Sequence, residues 1–220
     1  MSCFDRNNIE GIKPCPENYI PIEDDECEQI FKYFVDHKIE NYSIFISECA
    51  INDNGKVRML NIGNIEDNTQ AFIDNIGKLS DLEQLYFNHS NFMSNLDFEP
   101  WKNLEKLSFL YMHNIYDDNI DLNEIPDPIF SITSSKSLSI ISHNITKIPS
   151  DLSKLVNLEY LDLSNNKIDD QLPEFLNNLE NLQEIYFNYN INLKGKNLTN
   201  DKLIVCEYDS SAVYDLYQAK

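Results

Sequence analysis

The stretch from Leu158 to Leu182, LEYLDLSNNKIDDQLPEFLNNLENL, constrains this chain more than any other. Leu158, Leu161, Leu163 and Ile168 hold apolar places around Asn166, and Leu172, Leu176 and Leu179 follow before Leu182 restarts the series. The alternation at Leu161 and Leu163 suits the inward residues of a short strand. The later spacing suits a wall that returns behind it. A single coil of this kind leaves two apolar faces open, so its neighbours must bury them. The unit therefore demands a stack.

The same pattern starts at Val57, Leu82, Leu107, Ser135, Leu158, Leu182 and Leu203, with steps of 25, 25, 28, 23, 24 and 21 residues. This resembles the leucine-rich repeat, Leu-x-x-Leu-x-Leu-x-x-Asn-x-Leu. NIGKLSDLEQLYF and the opening Gly55-Lys56-Val57-Arg58-Met59-Leu60-Asn61-Ile62 resemble the plant-type extracellular subclass, which includes receptor-like and polygalacturonase-inhibitor-like proteins. Asp169-Asp170-Gln171-Leu172-Pro173 departs from that subclass, whose Asn is followed by Leu-x-Gly-x-Ile-Pro. The resemblance implies an α/β fold: a right-handed solenoid or horseshoe with a concave parallel sheet, an N-terminal helical cap and a C-terminal cap. Residues 1–56 are read as the first cap, 57–202 as six repeats and 203–220 as a terminal strand and second cap, in one continuous domain.

The Asn of the pattern has a physical task, because its amide can satisfy backbone groups that the bend would otherwise bury without partners. Asn166 and Asn190 keep it; Ile65, Ser90, Ile115 and His143 do not. The carboxy-terminal coils should therefore be the more regular ones.

Four of the five cysteines lie within the first 49 residues. Cys27, Ile30, Phe31 and Phe34 share one helical face over Asp24–Lys38, and YSIFISEC, residues 42–49, reads as a strand. A cap helix beside a strand would bring Cys27 and Cys49 within bonding range, with Cys3 and Cys15 as a second candidate pair. Cys206 takes the place of a buried Leu in the last strand, LIVCEY. Val213, Leu216 and Tyr217 are candidate anchors for the closing tail.

A formal charge of −20 argues against nucleic acid and anionic lipid as partners. No apolar run is long enough for membrane insertion. The four histidines lack metal-site spacing, and there is no Gly-x-Ser-x-Gly nucleophile motif, so no active site, metal or cofactor is expected. The acidic segment Asp117–Asp127 lacks the ordered spacing of a calcium loop. The sequons at Asn41, Asn88, Asn144 and Asn197 are no more frequent than the Asn content makes by chance.

Between the inward places, side chains should point out of the sheet and stack in columns about 5 Å apart. The middle column reads Asn61, Tyr86, Tyr111, Ser139, Asp162 and Tyr186, flanked by Glu83, Phe109, Lys136, Tyr160 and Glu184. His89, His113 and Tyr189 follow just beyond the strands. The candidate ligand-binding set is Tyr86, His89, Phe109, Tyr111, His113, Tyr160, Asp162, Tyr186 and Tyr189. Rigidly held aromatics are frequent recognition anchors. The expected function is non-catalytic recognition of a protein or peptide, with a polysaccharide as second ligand class. The expected setting is extracellular or at the cell surface. An intracellular scaffold or regulatory subunit, and a targeting arm of a longer protein, are the competing readings.

Overall fold

A computed structural model describes residues 25–30, 45–63, 70–88, 96–114, 122–195 and 198–208. Their strands form one sheet in chain order: β1 (Phe45–Ile51), β2 (Val57–Gly63), β3 (Gln84–Asn88), β4 (Phe109–His113), β5 (Ser137–Ile141), β6 (Tyr160–Asp162), β7 (Glu184–Tyr186) and β8 (Val205–Glu207). β1 is antiparallel to β2, and each later neighbour is parallel. Parallel neighbours in chain order require every strand to be followed by a return behind the sheet, which makes a solenoid.

The returns are short. The first contains helix α1 (Gln70–Ile76); later ones are 3-10 turns at Glu99–Asn103, Asp127–Ser131, Ser150–Lys154 and Glu174–Asn178. Proline precedes the last three and is the second residue of the first, as Pro100, and its fixed φ suits the entry to a turn.

Register carries the core. Leu60, Leu85, Leu110, Leu138, Leu161, Ile185 and Cys206 are successive partners in one row. Ile62, Phe87, Met112 and Ile140 make the next. Both rows face Ile73, Ile76, Trp101, Ile129, Leu152 and Leu176 of the returns, and all except Cys206 are buried. The amino-terminal core is aromatic: Phe87 stacks on Trp101 at 6.0 Å and Phe98 meets Trp101 edge-on at 4.8 Å. The indole N–H of Trp101 donates to the Ile73 carbonyl at 3.1 Å, so no polar atom is wasted by its burial. Gly77 is needed where the first two returns touch, since a Cβ there would lie 2.5 Å from that of Pro100.

The Asn expectation gains a direction in space. Asn166 Oδ1 accepts from the backbone N–H of His143 and Ile145, at 2.9 and 3.0 Å, in the preceding coil. Its Nδ2 donates to the carbonyls of Ile140, Leu163 and Ser164. Asn190 repeats the arrangement on Ile168, Leu163 and Phe187. Each amide therefore ties its own bend to the one before it. His143, which lacks an Asn, has its bend held from the next coil.

At the amino-terminal end, Asp25 accepts from the Glu28 N–H and residues 26–30 are helical. The Glu26 carboxylate accepts from the Val57 N–H at 2.9 Å and pairs with Lys56. Cys27 and Cys49 are disulfide-bonded with Cα atoms 6.1 Å apart. Of the strand expected over 42–49, residues 42–44 lie outside the described residues; β1 continues past Cys49 to Ile51, because β2 offers partners as far as Val57. At the other end Cys206 is half-buried rather than buried, as are Leu203 and Tyr208, since no described coil packs beyond β8. Its Sγ lies 2.8 Å from the Tyr208 hydroxyl, and burial pushes the thiol pKa up. Cys3, Cys15, the helix beyond residue 30, Asn41, His89, most of the acidic segment, Asn197, Val213, Leu216 and Tyr217 lie outside the described residues.

Candidate ligand-binding face

The outward residues fall into columns fixed by strand pairing. Asn61, Tyr86, Tyr111, Ser139, Asp162, Tyr186 and Glu207 are successive partners in the middle column. Met59, Gln84, Phe109, Ser137, Tyr160, Glu184 and Val205 form the column beside it. Gln84 and Ser137 hold the places expected for Glu83 and Lys136. Those two lie one residue before the column, where Glu83 pairs with Arg58 and Lys136 with Glu159. A one-residue displacement matters because side-chain direction alternates along a strand. Glu207 was readable from LIVCEY as the same outward place in the last coil.

The tyrosines do not form one continuous ladder. Tyr86 and Tyr111 make one pair at 6.3 Å, and Tyr160 and Tyr186 make another at 5.3 Å. β5 separates them with Ser137 and Ser139, so two aromatic ridges flank a pair of outward serines. Each hydroxyl meets a side chain two residues away on the same face: Tyr86 with Gln84, Tyr111 with His113, Tyr160 with Asp162 and Tyr186 with Glu184. The rings are half-buried and held in place, which lowers the entropy lost on contact with a ligand. Burial first, and neighbouring carboxylates second, raise the phenol pKa of Tyr160 and Tyr186.

Asp162 differs from its expected display. It is only 9% exposed, and its carboxylate accepts from Ser164 and from the Tyr160 hydroxyl. Its first role is to hold the ring above it. Phe109 and Tyr189 are exposed, at 37% and 67%, and His113 is half-exposed beside Tyr111. Tyr189 has φ 63°, the place where Ser142 and Asn165 are also left-handed, so a bulky side chain stands where the bend favours a small polar one. Among the described residues no group of His, Cys, Asp and Glu could hold a metal ion, and no helix is long and apolar enough to cross a membrane.

No family model matches the sequence, and no curated protein matches it. Solved structures do. The ectodomain of the receptor kinase SOBIR1 from Arabidopsis thaliana superposes with a TM-score of 0.51 at 19% identity, over 80% of this chain and 98% of that one. This chain has the leucine-rich-repeat fold. The plant peptide hormone receptor RGFR1, solved in complex with RGF2, gives 0.50 at 16% identity over 76% of this chain and 33% of that one. The chain spans 21% of the ectodomain of the Arabidopsis receptor kinase HAESA, solved with an IDA peptide hormone ligand, at 23% identity and a TM-score of 0.44.

Proposed function

We propose that this leucine-rich-repeat protein is a non-catalytic recognition module that takes a protein or peptide on its concave sheet, at or outside the cell surface. The observation that carries the reading is the pair of aromatic ridges, Tyr86–Tyr111 and Tyr160–Tyr186, fixed on one sheet by bonds within the face. Phe109, His113 and Tyr189 extend the contact surface. Preorganised aromatics of this kind supply contact area without much ordering cost. SOBIR1 and RGFR1, receptors of the same fold, support a receptor-like role. The Cys27–Cys49 bond supports an oxidising compartment.

Partners captured from source extract with the wild-type protein should be lost with Tyr111→Ala/Tyr186→Ala, which weakens binding about tenfold or more. Because both rings are half-buried, the double variant should also lose about 1–2 kcal/mol of stability. Equal retention by both baits, with both folded, removes the concave face as the site. Thiol counting on denatured, unreduced native protein separates the compartments: five free thiols would favour the intracellular scaffold.

A further inference from the structure

Resting on the extracellular part of that reading, we infer that Asn144 carries an N-linked oligosaccharide, which stands at the rim of the concave sheet and leaves both tyrosine pairs uncovered. Asn144-Ile145-Thr146 is one of four Asn-x-Ser/Thr sequences, and their frequency does not distinguish them. Position in the fold does. Two of the acceptors, Asn88 and Asn144, are among the described residues.

At Asn144 the chain has left β5 and is turning into the return. His143 and Ile145 on either side are fully buried, whereas Asn144 is half-exposed and Thr146 exposed. The bend is clamped by both neighbouring coils. From the next one, Asn166 Oδ1 accepts from the N–H of His143 and of Ile145, and the Lys167 N–H donates to the Ile145 carbonyl at 2.9 Å. From the preceding one, the Asn123 carbonyl accepts from the Thr146 N–H at 3.2 Å. Between two buried side chains, the left-handed φ of 55° at Asn144 directs its own side chain toward water. Asn tolerates that conformation better than most residues other than glycine. The corresponding places in the next two coils, Lys167 and Ile191, are exposed as well. A bulky, solvated substituent therefore meets water there rather than a packed wall.

Asn88 stands elsewhere. It ends β3 in register with Gly63 and His113, at an outward place, and its Nδ2 donates to Asn61 Oδ1 at 2.7 Å. An oligosaccharide on that nitrogen would stand on the face itself, next to the Tyr86 column. Asn144 lies three residues past Ile141, the end of β5, and so beyond the outward Ser137 and Ser139 that separate the tyrosine pairs.

The modification takes place in the secretory pathway on the extended chain, before Asn123 and Asn166 clamp the bend. The Asn144 amide nitrogen bonds to the first sugar carbon as that carbon's bond to the diphosphate of a lipid-linked oligosaccharide breaks. The lipid diphosphate leaves, and the amide gives up one proton. Thr146 supplies the hydroxyl of the acceptor sequence.

The test digests protein purified from its source and releases N-glycans enzymatically in heavy-oxygen water, which leaves a labelled Asp at each occupied Asn. Label should appear at Asn144 and be absent from Asn88. In a secreting eukaryotic host, Asn144→Gln and Thr146→Ala should each abolish the Asn144 glycan, whereas Thr146→Ser, which keeps the acceptor sequence, should retain it. Thr146→Ala changes an exposed side chain and leaves the left-handed Asn in place, and thermal melting checks that it folds. An unlabelled Asn144 in source protein whose Cys27–Cys49 bond is intact overturns the inference and leaves the recognition reading standing. Label at Asn88 would put the glycan on the face and overturn the concave reading. Five free thiols with no label at any Asn overturn the inference together with the extracellular setting.

Discussion

The amino-terminal and carboxy-terminal coils solve the same problem by different means. In β2–β5 the parallel ladder pairs five residues per strand, and the core behind it holds Phe72, Phe87, Phe98 and Trp101. In β6 and β7 the ladder pairs only three residues, the core is mostly Leu and Ile, and the bends are closed by Asn166 and Asn190. Large aromatic contact area and a longer ladder stabilise coils whose sequence does not keep the Asn of the pattern. A regular amide column stabilises coils whose strands are shorter. A repeat protein can thus trade one kind of nearest-neighbour coupling for another while its period stays the same.

Asn166→Ala strains this comparison most. It removes a side chain bonded to five backbone groups in two coils, four of them with the buried amide, and should cost about 5 kcal/mol by thermal or denaturant unfolding. Hydrogen exchange should speed up at His143 and Ile145 first, leaving β3 and β4 protected. If protection falls equally throughout, the coupling is not local.

Trp101→Ala is the amino-terminal counterpart, with an expected cost of about 4 kcal/mol from lost ring contacts and the cavity left behind. Leu161→Ala, in the regular coils, should cost about 3 kcal/mol. A larger loss at Leu161 than at Trp101 would mean that aromatic packing does not compensate where the sequence departs from the Asn of the pattern.

His143, at the junction of the two regimes, should report acid. Burial, and then the nearby charge of His113, lower its pKa to about 3, whereas the unfolded residue titrates near 6.5. Between those values the unfolded chain binds the extra proton, so this contribution is complete above pH 6.5 and is lost as pH falls toward 3, by at most about 1.4 kcal/mol per pH unit. His143→Asn, which restores the amide of the pattern, should remove that part of the acid slope. Identical slopes for variant and wild type would show that His143 stays neutral in both states or charges in both.

Glu159→Ala should have the smallest effect, under about 0.5 kcal/mol, because its pairing with Lys136 at 3.1 Å is exposed.

Strand positions and the inward rows were legible in the sequence because burial imposes a period of two within strands and a near-constant step between coils. Leu60, Leu85, Leu110, Leu138, Leu161 and Ile185 could occupy no other row without turning apolar side chains to water. The middle outward column followed from the same constraint. Its chemistry did not. Whether Tyr111 leans on His113, whether Asp162 is displayed or buried, and whether the tyrosines stand as one ladder or two pairs depend on side-chain torsions and on neighbours about 25 residues away in the chain. Asn166 shows the division most clearly: its place in the pattern marked a bend to be satisfied, but only the stacking of coils decided that it would also hold the bend at His143, because a side-chain amide reaches whatever backbone the fold brings within about 3 Å.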